Sequence, residues 1–214
     1  MFTRSVRLAT LAALVSACSL WGQEPQLSEE QMKNFLLTAK VVGHKQTGKG
    51  VTSPYRLTLS DGTITHDAAF QSINESKAKM EFRDGRTEVN YVDSYKYNIA
   101  AYEVARLVGL GDMMPVTVEL KWDGKTGSLS WWLPVKMDEE KRLKEKINPP
   151  DPEGWNKQMY KMRVFAQLVY DTDRNLGNVL ISDDWKLYMI DFSRAFRLYD
   201  DLLSAKNLTN CDKN

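Results

Sequence analysis

The sequence predicts an α+β fold with two lobes, a small β-rich lobe that carries one helix and the start of a second, helical lobe. Three observations support this prediction. Strand-like runs separated by turn residues begin at Phe35, an amphipathic helix follows them, and a second amphipathic helix comes after a proline-rich stretch. The chain has 214 residues, of which 43% are hydrophobic and 27% charged, which is enough for two small lobes that share a cleft.

The first region reads as a series of antiparallel strands. "NFLLTAKVVGHKQTGKG" and "YRLTLSDGTITHDAAFQSI" are strand-like, and Asp61-Gly62 is a turn signal between two runs. "KAKMEF" and "TEVNYV" are predicted to form further strands or a hairpin around Asp84-Gly85.

The next segment, "DSYKYNIAAYEVARLVGLG", has helical spacing of its apolar residues. Asp93 or Ser94 can cap its start, and Gly109 marks its end. "MPVTVELKWDGKTGSLSWWLPV" then predicts a hairpin that turns at Asp123-Gly124.

The second half begins with a charged, proline-stopped segment, "KMDEEKRLKEKINPPDP", which is predicted to be solvated. "EGWNKQMYKMRVFAQLVY" is the second helix, and its Met and aromatic stripe is predicted to be core. These boundaries give a linker or short helix start at 24–34, an N-lobe at 35–135, a charged link at 136–152 and a partial C-lobe at 153–214.

The N-terminus differs from the rest of the chain. Two early arginines precede an apolar run that ends at Ala17, which is typical of a signal peptide over residues 1–23. "VSAC" also resembles a bacterial lipobox, which would make Cys18 a lipidated first residue and a membrane anchor. The alternative is simple cleavage after Ala17 or a little later. We therefore expect an exported protein, either periplasmic or a membrane-anchored lipoprotein.

Composition excludes several classes of protein. The only cysteines are Cys18 and Cys211, and there are two histidines, so neither a disulfide-built fold nor an ordinary zinc site is expected. The net charge is +1 and there is no long basic run with interleaved aromatics, so no nucleic-acid partner is predicted.

The most informative stretch is "YDTDRNLGNVLISDDWKLYMIDFSRAF". A polar loop is followed by a short hairpin, which returns the chain so that Asp191 can lie beside Asn178, with Asp173 at the same mouth. Carboxylate and amide oxygens suit Mg²⁺ or Mn²⁺, and phosphoryl transfer needs such an ion and an acid that orients the attacking hydroxyl. The order of these three residues matches the kinase signature.

Two other interpretations of this loop remain open. Asp171, Asp173 and Asn175 have the spacing that begins a calcium loop, although Leu176 and Ser182 stand where an EF-hand needs Gly and Glu. The loop could also be a polar turn whose side chains bond to the backbone.

"DTDRNLGNVLI…LYMIDFSRAF" resembles the catalytic core of the phosphatidylinositol 3- and 4-kinase superfamily and its atypical protein-kinase-like relatives, most closely an exported bacterial branch. The resemblance covers residues 48–196 and implies a protein-kinase-like two-lobe fold. It implies catalytic roles for Asp173 and Arg174, metal binding by Asn178 and Asp191, and ATP or another nucleotide as phosphate donor to an unknown hydroxyl substrate.

The same resemblance places the nucleotide phosphates on a glycine-containing loop with Gly48, Lys49 and Gly50. In these kinases a Lys on the third strand pairs with a Glu on the helix. This chain has Gln71 and Asn98 at those two positions.

The nearest substitutes for that charged pair are Lys77 and Glu103, which are predicted to bind nucleotide. The C-lobe is predicted to be short and truncated, because such kinases continue with further helices whereas this sequence ends at Asn214. The predicted function is phosphoryl transfer by an exported kinase-like protein. The alternative is a kinase-fold pseudoenzyme that binds a nucleotide or a partner.

Overall fold

A computed structural model describes residues 27–48, 54–82 and 84–208. Four α-helices and ten β-strands form within these residues. The helices are α1 (Glu29–Thr38), α2 (Tyr95–Leu107), α3 (Glu139–Lys144) and α4 (Pro152–Leu168). The strands are β1 (Lys40–Gln46), β2 (Tyr55–Ser60), β3 (Thr65–Gln71), β4 (Asn74–Glu81), β5 (Thr87–Ser94), β6 (Thr117–Trp122), β7 (Lys125–Trp131), β8 (Met137–Asp138), β9 (Val179–Ile181) and β10 (Leu187–Met189).

The N-terminal lobe is built on a five-stranded antiparallel sheet in the order β1-β2-β3-β7-β6. The predicted turn at Asp123-Gly124 is confirmed, with φ of 48° and 74°, the positive values that a tight hairpin turn needs. Gly127 lets β7 approach β3 closely, because a Cβ there would lie 2.5 Å from the carbonyl oxygen of Gln71. Helices α1 and α2 pack against β6 and β7.

The strand prediction was wrong at its first residues. Phe35 and Leu36 are buried on α1, and the strand begins only at Lys40. A capping box at Ser28 and Gln31 starts this helix within the segment predicted as a linker or helix start. Phe35 and Leu36 therefore lie on the inner face of a helix while Leu37 is exposed, and period alone could not distinguish helix from strand over so few residues.

The C-terminal lobe combines α4 with a small three-stranded sheet in the order β10-β9-β8. The Met and aromatic stripe of the second helix is buried, which confirms its prediction as core; it consists of Trp155, Met159, Met162 and Phe165. The charged segment before it is not simply solvated, because Met137 and Glu139 are buried and Glu139 pairs with Arg142 at 2.5 Å. Among the described residues no helix is long and apolar enough to cross a membrane.

The predicted hairpin around Asp84-Gly85 is confirmed as β4 and β5, which form a two-stranded sheet of their own. Strand β5 runs directly into α2, whose N-cap is Ser94. The hairpin therefore connects the third strand of the main sheet to the helix that borders the cleft.

Candidate active site

The cleft between the lobes holds a cavity of about 190 Å³. Its walls are mainly apolar and aromatic. They include the hydroxyl side chains of Thr117, Ser128 and Ser130. Among the described residues that line it, Asp191 alone carries a charge. Trp132 and Leu133 border it where the chain passes from one lobe to the other. An apolar and aromatic lining with a few polar groups is typical of a small-molecule site.

The predicted catalytic loop lies at the mouth of the cleft, between α4 and β9. Asp173 is exposed, and its N–H donates to Oδ1 of Asp171 at 3.1 Å. Although the residue is exposed as a whole, the protein around its carboxyl group desolvates that group in part and raises the pKa of Asp173; the Arg194 guanidinium opposes this shift and the Asp171 carboxylate adds to it. A carboxyl group with a raised pKa is better suited to accept a proton from a substrate hydroxyl.

Arg174 ties this loop to the following hairpin. Its Nε and Nη2 contact Oδ2 of Asp171, which is fully buried, at 2.7 and 2.6 Å. Its Nη1 donates to the carbonyl oxygens of Asn178 and Ile190 at 2.9 and 2.8 Å, and Nη2 donates to that of Asp191 at 3.1 Å. The side chain is 9% exposed. The predicted catalytic role of Arg174 is therefore corrected: its donors are used within the protein, and it positions the residues around it.

The two predicted metal ligands come to the same end of the β9–β10 hairpin. The N–H of Ile190 donates to the carbonyl oxygen of Asn178 at 3.1 Å, which places Asp191 beside Asn178. The amide nitrogen of Asn178 donates to the carbonyl oxygen of Asp173 at 3.3 Å, which leaves its amide oxygen to bind a cation. The sequence order thus corresponds to real proximity of all three residues.

Asp191 has φ of 56°, a left-handed conformation that is uncommon outside glycine. The next residue, Phe192, is buried against Phe165 of α4 with ring centroids 5.5 Å apart. The Arg174 guanidinium also packs over the Phe192 ring, 4.1 Å from its centre. The packing of its neighbour therefore holds Asp191 in this backbone conformation.

The carboxylate of Asp191 faces the cleft and is only partly satisfied. Its Oδ1 accepts from Ser193 Oγ at 3.1 Å and from Gln71 Nε2 at 3.5 Å. Within the described part of the chain, Oδ2 accepts no hydrogen bond. Burial raises the pKa of Asp191, although these hydrogen bonds oppose the shift. A bound cation would offset that desolvation, so the donor set fits a divalent metal.

The positions expected for the Lys–Glu pair are joined by neutral amides. Asn98 Nδ2 donates to Gln71 Oε1 at 2.5 Å, and Asn98 Oδ1 accepts from the Phe192 N–H at 2.7 Å. Because Gln71 also reaches Asp191, the amides connect β3, α2 and the metal-ligand segment in one chain of hydrogen bonds. Gln71 of β3 and Asn98 of α2 therefore meet in the structure; that they stand at the kinase Lys and Glu positions stays a prediction, and their link to Asp191 was not foreseen.

The substitutes Lys77 and Glu103 do not meet. Lys77 lies on exposed β4 and pairs with Glu75 at 2.9 Å. Glu103 lies on the outer face of α2 and pairs with Arg106 and Lys33 at 2.7 and 3.4 Å. Neither residue lines the cleft, so their assignment to nucleotide binding is corrected.

The remaining predicted residues are only partly described. Gly48 is exposed beyond the end of β1, and Lys49, Gly50 and Cys18 lie outside the described residues. Their predicted roles in phosphate binding and lipidation stay predictions.

The calcium-loop interpretation fails on the burial of Asp171. Its carboxylate is 0% exposed and is occupied by Arg174, so it cannot face a cation in the loop. No group of three or more His, Cys, Asp or Glu side chains that could hold a metal occurs within residues 27–48, 54–82 and 84–208. The candidate metal site depends instead on the amide oxygen of Asn178 together with the carboxylate of Asp191.

Comparison with solved structures identifies the architecture. A chain of hydra Fam20, solved with a sugar, superposes with a TM-score of 0.54 at 15% identity, over 78% of this chain and 66% of that one. The fold is protein-kinase-like. The chain thus spans slightly less than two thirds of that kinase-like structure. The apo form of PpkA-294 also matches, with a TM-score of 0.40, 13% identity, and coverage of 70% of this chain and 57% of that one, and it adds nothing to the argument.

Sequence comparison gives no further assignment. No family model matches the chain, and no curated protein matches it. The kinase-like fold therefore comes from the three-dimensional comparison, and the finer resemblance to the phosphatidylinositol 3- and 4-kinases stays a prediction.

Proposed function

We propose that this protein is a kinase-like phosphotransferase that uses a nucleotide bound in the cleft. The observation that carries the proposal is the convergence of Asp173, Asn178 and Asp191 at the mouth of the cleft, with Arg174 joining all three segments. Kinase-like folds use an acid, an amide and a second acid in this order.

Each residue has a distinct task in the proposed reaction. Asp173 orients the acceptor hydroxyl and takes its proton. The hydroxyl oxygen forms a bond to the terminal phosphorus of the nucleotide, and the bond between that phosphorus and the leaving nucleoside diphosphate breaks. The amide oxygen of Asn178 and Oδ2 of Asp191 would hold Mg²⁺ or Mn²⁺, which neutralises phosphate charge when bound. The apolar cavity behind them would take the base of ATP or another nucleotide.

The protein is further proposed to act outside the cytoplasm, on the basis of the signal-peptide pattern in residues 1–23. Lipidation at Cys18 would attach it to a membrane. The acceptor is a hydroxyl of a protein or a small molecule.

The amide pair favours a second candidate function. A Gln71–Asn98 pair supplies hydrogen bonds without the cation that holds nucleotide phosphates in kinases. A kinase-fold module that binds a nucleotide or partner without turnover would have this composition.

The experiment that separates these candidates measures binding and turnover on the same samples. Thermal unfolding midpoints with ATP and Mg²⁺ or Mn²⁺ are compared between the wild type and Asp191→Ala. A second assay on the same samples measures transfer of phosphate from ATP to a hydroxyl acceptor. A metal-dependent rise in midpoint that disappears in the variant supports nucleotide binding in the cleft. Turnover supports the phosphotransferase, and binding without turnover supports the binding module.

A further inference from the structure

The β4–β5 hairpin contacts the segment that follows Asp191. The N–H of Ser94, where the hairpin ends, donates to the carbonyl oxygen of Ser193 at 2.9 Å. Strand β4 is largely exposed and pairs only with β5 in its sheet, so the hairpin lies beside the main sheet. Its inner face is therefore directed to the segment beside the proposed metal ligand.

Glu88 is the charged centre of that contact. Its carboxylate pairs with the guanidinium groups of Arg194 and Arg197, the latter through Nε at 2.9 Å. The three side chains are 14%, 14% and 4% exposed. Arg197 also donates to the carbonyl oxygen of Val92 on the same hairpin.

Arg194 extends this contact to the catalytic loop. Its guanidinium lies 4.8 Å from the ring centre of Tyr91 and 5.2 Å from that of Phe82, both on the hairpin. Its carbonyl oxygen accepts from Thr172 Oγ1 at 3.0 Å and from the Thr172 N–H at 3.4 Å. Thr172 immediately precedes Asp173.

We propose that Glu88 is a positioning residue for the catalytic loop, acting through Arg194 and Thr172. The inference rests on the proposed function in one respect, which is that Asp173 is the proton acceptor that the loop must hold in place. The β4–β5 hairpin is then part of the active-site support rather than a peripheral decoration of the N-lobe.

The burial of this cluster makes the shared Glu88 carboxylate important to both guanidinium groups. Beyond the ion pairs with Glu88, the buried atoms Arg194 Nε, Arg197 Nε and Arg197 Nη1 have no hydrogen-bond partner among the described residues. Substitution of Glu88 would take away the carboxylate that the two buried guanidinium groups share, and they would separate or draw in water. Arg194 would then no longer hold its carbonyl oxygen against Thr172.

The test compares Glu88→Gln with Glu81→Gln in the full chain. Both substitutions remove a carboxylate from the same hairpin, but Glu81 is 70% exposed and, among the described residues, pairs with the exposed Lys79, so it is the matched control. In Glu88→Gln, hydrogen exchange over residues 171–175 is expected to quicken by about tenfold relative to the control. Turnover is expected to fall by about tenfold in kcat with nucleotide KM changed less than about twofold.

Two outcomes overturn the proposal. One is exchange over residues 171–175 that is equal in Glu88→Gln and Glu81→Gln. The other is a loss of kcat in Glu88→Gln that the control shares. If Glu88→Gln does not fold, Arg194→Lys takes its place, because it keeps the charge without the planar fork and should quicken exchange at the same residues.

The two parts of the experiment answer separate questions. If the wild type shows no turnover, the phosphotransferase proposal fails, while the exchange measurement still decides whether Glu88 positions the loop. If turnover is present and exchange is unchanged, the proposed function stands and the positioning role of Glu88 is wrong.

Discussion

The two walls of the cleft hold their polar groups by different physics. On the C-lobe wall, the buried Asp171–Arg174 ion pair fixes the loop and the hairpin that carry the candidate ligands. On the N-lobe wall, Gln71 and Asn98 make neutral hydrogen bonds in the positions of a charged pair. The comparison teaches that one wall can hold its candidate residues with a buried charge pair while the described residues of the facing wall supply no cation to the cleft.

The largest effect is expected from Asp173→Asn, which removes the proton acceptor on the C-lobe wall. If turnover is present, kcat should fall by about 10²- to 10⁴-fold, the usual contribution of a general base. Nucleotide binding should persist, because Asp173 is not among the residues that line the cavity. Single-turnover kinetics with thermal unfolding as the binding control measures both, and an unchanged kcat would exclude Asp173 as the base.

The next effect is expected from Arg174→Ala, which leaves the fully buried carboxylate of Asp171 without its partner. Breaking one half of a buried pair costs about 3–5 kcal/mol in the free energy of unfolding. Urea unfolding measures this loss.

Arg86→Ala is the matched control for that measurement, because Arg86 and its partner Asp84 are 75% and 52% exposed. An exposed pair contributes about 0–1 kcal/mol. Equal losses for the two variants would show that the Arg174 contacts do not stabilise the loop.

A smaller effect is expected from converting the amide wall into a charged one. Gln71→Lys with Asn98→Glu should raise affinity for ATP by about tenfold, or 1.4 kcal/mol, by adding a cation beside the phosphates. Asn98→Glu alone should destabilise the fold, because it places a carboxylate near Asp191 and removes the donor to Gln71.

Calorimetric titration with ATP of Gln71→Lys, of Asn98→Glu and of the double variant completes a double-mutant cycle for this pair. Additive changes with no gain in the double variant would show that the amide wall does not limit phosphate binding.

The smallest effect is a pH dependence carried by Asp191. Burial raises its folded pKa above the usual 3.8, so the folded state holds the proton more tightly than the unfolded state. Its contribution to stability is therefore present at low pH and is lost as the pH rises through the raised pKa.

Asp191→Asn should remove this part of the pH profile. The measurement is the free energy of unfolding from pH 4 to 7 with a chelator present. The wild type should lose stability relative to the variant as the pH rises, mainly at the acidic end of that range. Parallel curves for the two proteins would contradict the raised pKa.

Local sequence patterns predicted most of the fold. Alternation and turn residues predicted the hairpins at Asp84-Gly85 and Asp123-Gly124, and helical spacing predicted the buried face of α4. The strand prediction failed at Phe35, because a run of three apolar residues, Phe35 to Leu37, fits a helix and a strand equally well. The substitutes Lys77 and Glu103 failed because sequence proximity does not show which face of a strand or helix a residue occupies.

The sequence by itself determined the order of Asp173, Asn178 and Asp191 around a hairpin, because turn chemistry and short-range periodicity act between neighbours. Only the tertiary structure decided that Arg174 supports the loop, that Gln71 reaches Asp191 and that Glu88 holds Arg194. The last two pairs are separated by 120 and 106 residues along the chain. Partners so far apart meet only when the lobes pack, since the burial that brings them together belongs to the whole fold.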